Sequence, residues 1–390
     1  MKKVSFLITL AFCAWHCSQT PEAPLPTPTP TPPPPSPKPE VYWYFLNVDK
    51  LNLRDQPNKQ GAVIAQLAEG DFVSGNGEIS ANKEEVTLRN IPFNEPYFKV
   101  KTTANPPQEG WVFSAALVPV YAGATATSPD IGKLSAFSRF LTTLDPKKLE
   151  NGKKAWDDVR QNFSNVQGVN ADGVFILLER FLFHMETDGD YYTLTEKVPF
   201  STEEYEAINA DKFNMSKYPT TQKLAANGFR LATGEGMVFP VVDWVKLTDF
   251  FATKVTPAMK SYMEQTTKEL LQPMMDDGGI LLPLEEVADR AVWWEKFNQM
   301  HPFFVRREET QNHAKWLELM IVCGADNTPV FDYEDKPVLP EYQKVWAYIK
   351  EKYAGTNLEK SVRAMSDLIA SEGGKCTKKV EQYREKLVNQ

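Results

Sequence analysis

The feature that constrains this chain most lies at its front. A short apolar stretch, Val4 to Trp15, follows Lys2-Lys3; then come Cys17-Ser18-Gln19 and eleven prolines between Thr20 and Glu40. The apolar stretch is too short to span a bilayer, which takes roughly 20 such residues. A positive start, a greasy middle and a break after it are the pattern of an export leader. Proline fixes φ and supplies no backbone donor, so residues 17–40 suit neither a helix nor a central strand. They read instead as a disordered, semi-rigid polyproline II spacer. At about 3.1 Å per residue it would hold the first folded domain roughly 60 Å from Cys17. Folding into a core has to begin after Glu40.

The leader resembles those of bacterial lipoproteins, which place Leu three positions before the modified cysteine and a small residue just before it. Cys17 follows Ala14-Trp15-His16 and Cys13 follows Leu10-Ala11-Phe12, so each matches in part. Cys17 is the expected lipidation site, because Ser18-Gln19 opens directly into the spacer. Lipidation at Cys13, or plain secretion after removal of a signal peptide over residues 1–16, is the alternative. The resemblance implies an exported protein held on a bacterial membrane, at the outer membrane, periplasm or cell surface, by two or three acyl chains. One chain alone binds only marginally. The net charge of -8 and the lack of a basic block argue against nucleic acid, whose phosphates demand Lys and Arg.

Beyond Glu40 the pattern alternates. Tyr42, Tyr44, Leu46 and Val48, then Leu51 and Leu53, then Val63 to Leu67, Phe72-Val73, Tyr97 to Lys101 and Gly110 to Phe113 read as short strands. Turn residues separate them at intervals of about ten, which suggests a small barrel over 41–121. Gly75-Asn76-Gly77 opens a polar excursion running to Glu95. Leu51-Asn52-Leu53-Arg54-Asp55-Gln56-Pro57, then Ile64, Leu67 and Gly70, then Tyr97-Phe98-Lys99-Val100, then Gly110-Trp111-Val112 with Leu117 resemble a bacterial SH3-type (SH3b) domain. The long segment Gly75 to Glu95 departs from the short turn usual there and would alter or cover a binding groove. The resemblance implies an SH3-like barrel that binds cell-wall peptides or peptidoglycan, or that targets a neighbouring domain. Ligand contacts would be aromatic: Tyr42, Trp43, Tyr97 and Trp111. The plain alternative is that these rings only fill a small core, leaving the barrel structural. Trp43 has the opposite strand parity to Tyr42 and Tyr44, so the two sets face different ways.

From Pro129 the apolar period becomes 3.6. Leu134, Phe137, Phe140, Leu141 and Leu144 form one face and Ala155, Trp156, Val159 and Phe163 another; Val174 to Met185 reads as a central helix. Ser201-Thr202-Glu203-Glu204 is a capping box, Thr256-Pro257 opens a helix, and Gly278-Gly279 and Gly373-Gly374 read as helix stops. Helices are expected near 241–253, 257–272, 284–299, 304–322, 340–353, 358–371 and 375–388. Residues 122–390 thus form a large all-α domain behind the β-domain, and the fold is multidomain. Trp293-Trp294 and Phe303-Phe304 are expected to split between core and surface; a surface ring from each pair is a candidate for a partner groove, and core packing is the plain reading for the rest.

Little in this region points to catalysis. Cys323 has no His after it, as a cysteine peptidase would require, and no His-Glu-x-x-His or similar ligand set occurs. Asp188-Gly189-Asp190 hints at calcium, yet Thr193 stands where an EF-hand loop needs Gly, and a turn is the simpler reading. No cofactor is implied. The enzymatic alternative is a cell-wall glycan hydrolase using Glu179 as acid, since sugar cleavage takes two carboxyl groups. It requires a pocket that gathers at least two carboxylates. On export a disulfide between Cys323 and Cys376 is one reading, and a buried thiol at Cys323, which closes an apolar run, is the equal alternative. The resulting expectation is a non-catalytic scaffold that binds the cell wall or another envelope protein.

Overall fold

The computed structural model describes residues 38–89, 91–187, 201–210, 217–234, 237–332 and 336–388. The leader, Cys13, Cys17, Asp188-Gly189-Asp190 and nearly all of the proline segment lie outside the described residues. Over 41–123 the chain forms an antiparallel β region. Its strands are β1 (Val41–Leu46), β2 (Lys50–Arg54), β3 (Val63–Ala68), β4 (Phe72–Gly75), β5 (Ile79–Leu88), β6 (Ile91–Thr102), β7 (Glu109–Phe113) and β8 (Leu117–Gly123). The ladder runs β3-β2-β7-β6-β4-β1-β8, with β5 hairpinned onto β6. Among the described residues no pairing joins β3 to β8, so the sheet is open.

The segment expected as a polar loop is mostly sheet. β5 pairs with β6 from Ile79↔Phe98 to Leu88↔Ile91. No residue of β5 is fully buried, but Val86 and Leu88 rest half-buried against the β core. Only backbone pairing supports the polar run before them, which is why Asn82-Lys83-Glu84-Glu85 hides a strand.

The helical region comes next: α1 (Ile131–Thr142), α2 (Glu150–Asn162), α3 (Val169–Thr187), α4 (Thr202–Ala210), α5 (Pro219–Ala226), α6 (Trp244–Phe251), α7 (Pro257–Leu271), α8 (Leu284–Met300), α9 (Arg307–Val322), α10 (Pro340–Lys352), α11 (Asn357–Ser371) and α12 (Lys378–Val388). Their starts reflect local chemistry. Thr256 caps α7, with Pro257 in its first turn, and Ser201 Oγ accepts from Glu204 N at 3.1 Å.

The all-α expectation needs correction. A hairpin of β9 (Phe229–Gly234) and β10 (Met237–Val242) interrupts the helices. Two shorter ones pair Met275–Asp276 with Gly279–Ile280 and Gly324–Ala325 with Thr328–Pro329. Gly278-Gly279 therefore turns a hairpin rather than stopping a helix, with Asp277 and Gly278 at φ 45° and 69°. The oxygen-rich turns at 276–279 and 326–328 bind each other: Asn327 N donates to Gly278 O at 2.9 Å, and Ile280 N to Thr328 Oγ1 at 2.9 Å.

Strand parity decides what β1 packs against. Tyr44 and Leu46 enter the core of the β region with Leu53, Val73 and Val112. Phe45, with Phe72 and Val120, joins the helical core of Leu134, Phe137, Val174 and Leu178. One apolar interior thus runs from the sheet into the helices. At Gly173, on α3, an added Cβ would lie 2.6 Å from Leu134 Cδ1, so the bare backbone permits the close crossing of α1.

A disulfide between Cys323 and Cys376 is not formed. Cys323 and Cys376 are both buried and remain thiols, and the Cys376 Sγ donates to Glu381 at 2.8 Å.

Candidate functional site

On β1, Tyr42 lies parallel to Tyr44, ring centroids 6.3 Å apart at an interplanar angle of 10°. Tyr44 in turn meets Phe98 at 5.8 Å. This row is one wall of a cleft of about 680 Å³, which Ile79 and Phe93 extend. The opposite wall is the link between α8 and α9, Pro302 to Val305. A Cβ at Gly77 would come within 2.9 Å of the Tyr42 ring; the glycine, at φ 82°, both turns the chain and leaves that ring its place. Burial raises the phenol pKa of Tyr42, and burial and then Tyr42 raise that of Tyr44. Both rings therefore offer neutral hydroxyls. The charged residues of its lining are Lys83 and Glu95, 3.6 Å apart, with Arg307 and Glu308 on the helical side.

Of the four aromatics singled out in the sequence, only Tyr42 lines this cleft. Tyr97 alternates with Phe98, so it points the other way: it is buried, meets Phe113 edge-on at 5.6 Å and donates to Glu84 Oε2 at 3.1 Å. Trp111 shares that face, opposite Lys99, and is half-buried. Trp43 packs against the helical core, its Nε1 donating to Ser128 Oγ at 3.3 Å. Phe303 and Phe304 both line the cleft, whereas Trp294 is buried and Trp293 stacks on Phe297. Phe98 takes the place that the sequence pattern assigns to Tyr97, because the parity of β6 relative to β1 cannot be read from either strand alone.

The link that forms the second wall is tied down from behind. Arg306 and Glu179 are both buried, 6% and 5% exposed, with Arg306 Nη2 2.5 Å from Glu179 Oε2. Arg306 Nη1 also donates to Tyr262 OH at 3.1 Å, and Tyr262 OH donates to Glu309 Oε1 at 2.6 Å. Burial alone would push the Glu179 carboxyl up, but the guanidinium charges of Arg306 and Arg180 outweigh it and hold the carboxyl below its ordinary range. Glu179 is a fixed anion that positions the link. It is not poised to donate a proton.

A second cavity of about 300 Å³ opens between α7, α8 and α9. There Glu269 accepts from Trp294 Nε1 at 2.8 Å and from Gln265 Nε2 at 2.5 Å, and its Oε2 lies 2.6 Å from His313 Nε2. Burial works against this anion, but the bonds from His313, Gln265 and Trp294 keep its pKa below the usual value. Glu309 stands on the same cavity, so a pocket with two carboxylates does exist, though Glu179 is not one of them. Trp294 and His313 lie 25 and 44 positions from Glu269 on two other helices, a spacing that no linear motif reports.

Among the described residues no group of three or more His, Cys, Asp or Glu is placed to hold a metal ion, and no helix is long and apolar enough to cross a membrane. No family model, no curated protein and no solved structure matches the chain.

Proposed function

We propose that this is an exported, lipid-anchored envelope protein that recognises rather than catalyses, with Cys17 as the anchored residue and the β region as an SH3b-like module. The observation that carries the reading is the aromatic cleft. It pairs Tyr42, Tyr44 and Phe98 on the sheet with Phe303 and Phe304 on the helical side. Concave aromatic surface with a few charged residues is the usual make-up of a site for an extended peptide. The ligand proposed is the peptide part of the cell wall; an envelope protein offering a similar segment is the alternative partner. The proline spacer would give the cleft its reach from the membrane.

The glycan-hydrolase reading is weaker on the residues present. It needs a carboxyl group that stays protonated to donate to the leaving oxygen. Glu179 and Glu269 are both held as anions, and Glu186, which burial lifts to about 7, lines neither the cleft nor the α7–α8–α9 cavity.

The test is co-sedimentation of the mature protein with purified cell-wall sacculi. Tyr42→Ala combined with Phe303→Ala removes one ring from each wall and should weaken retention by about thirtyfold, the size of a binding hot spot. Unchanged retention by a folded double variant would remove the cleft from the account. Deleting 41–121 is a poorer test, because Phe45, Phe72 and Val120 belong to the helical core.

A further inference from the structure

Arg307 stands where two cavities meet. It lines the aromatic cleft, and it also lines a polar recess of about 270 Å³ between α8, α9 and the start of α11. Among the described residues, three cations line these two spaces: Lys83, Lys315 and Arg307. Lys83 pairs with Glu95 at 3.6 Å and Lys315 with Glu318 at 3.2 Å. Arg307 forms no ion pair among the described residues; its side chain makes one bond, from Nη1 to the Asn298 carbonyl at 2.9 Å. Glu295, on the recess, is committed too, accepting from the Asn357 amide at 2.8 Å and from Gln299 Nε2 at 3.0 Å. The guanidinium is also held in place. Asn298, whose carbonyl receives it, is buried, and its Oδ1 accepts from the buried Thr310 Oγ1 at 2.6 Å. A fixed, half-buried guanidinium fork with most of its donors unused suits the two oxygens of a carboxylate.

We infer, building on the peptide reading of the cleft, that Arg307 receives the free C-terminal carboxylate of the peptide bound there. The rest of the lining offers mainly ring faces and apolar edges, which hold a chain without reading one particular side chain. A chain end supplies its carboxylate whatever the sequence, so it is the anion that such a cleft can always meet. A basic ligand group would have only Glu308 to turn to. That carboxylate is exposed, and an ion pair in water contributes little. Glu308 opposes an anionic chain end, which fixes the sign of its own effect.

Isothermal titration of the mature protein with a synthetic cell-wall stem pentapeptide, as its C-terminal acid and as its C-terminal amide, tests the inference. Side-chain carboxylates are the same in both forms, so the comparison isolates the terminal charge. The acid should bind about tenfold more tightly, the worth of a charge-assisted pair. Arg307→Gln should abolish that advantage and Arg307→Lys should keep part of it, whereas a merely structural loss would weaken both forms alike. Glu308→Gln should tighten the acid by about twofold, since a like charge is removed. Equal affinity of acid and amide would overturn the inference and leave the cleft reading standing. So would an advantage of the acid that survives in a folded Arg307→Gln variant. Binding of neither form would count against the cleft itself, and this inference would fall with it.

Discussion

Single residues carry the sharpest consequences. Arg306 joins Glu179, Tyr262 and Glu309 in the interior, and removing one partner of a buried pair strands the other charge. Arg306→Ala should therefore destabilise the fold by about 3–5 kcal/mol, measured by denaturant unfolding, and should loosen the Pro302–Val305 wall of the cleft. Two other carboxyls give the protein a pH response. Burial lifts Asp172 to about 6 despite two bonds from Thr256, and lifts Glu186 to about 7 despite the bond from Val242 N. In the unfolded chain both ionise near their ordinary values of 3.8 and 4.5. Between those limits the folded state holds protons that the unfolded state has lost, so these groups favour folding at about pH 4 and lose that contribution as pH rises toward 7. Glu186→Gln should flatten its share, on the order of 2 kcal/mol, in unfolding curves taken from pH 4.5 to 7.5. A slope as steep as in the parent would show that Glu186 is not responsible. At this scale the sequence is only partly informative. Tyr42 is legible as a candidate surface aromatic, whereas the buried anion at Glu179 depends on Arg306, 127 positions away.

At the scale of elements, most helices can be read because each carries its own signals. Thr256-Pro257 and the 3.6 period place α7 at 257–271 within a residue of expectation, and α8 and α10 fare as well. The β9–β10 hairpin is illegible for a physical reason. Pro240 argues against a central strand, yet it is tolerated here because the hairpin has only two strands and each is an edge. Val241-Val242 then reads as part of a helix that in fact begins at Trp244. The β5 strand is hidden by its polar run from Asn82 to Glu85, although Val86 and Leu88 pack half-buried on the β core. The crossing of α1 and α3 at Gly173 yields a prediction of this kind. Gly173→Ala must push Leu134 aside and should cost about 1–3 kcal/mol in thermal or denaturant unfolding, although alanine is the better helix former. A stabilised variant would mean that the helices are not in contact there.

Across the whole molecule, the sequence shows where the β pattern gives way to the helical one, but not that the two regions share an interior. That sharing rests on Phe45, Phe72 and Val120, whose strand parity turns them toward Phe137 and Leu178. A single cooperative unfolding transition is expected for residues 41–388, and two separable transitions would contradict the shared core. Cys323 and Cys376, both buried, should react with an alkylating reagent only after denaturation, as peptide mass spectrometry would record. The cleft lies where the regions meet, so neither half alone would reproduce it. Hydrogen–deuterium exchange of the mature protein, with and without soluble cell-wall peptide fragments, tests the central claim most directly. Recognition in the cleft predicts ligand-induced protection in 79–98 and 302–308 together; protection confined to other segments, or none at saturating peptide, would contradict it.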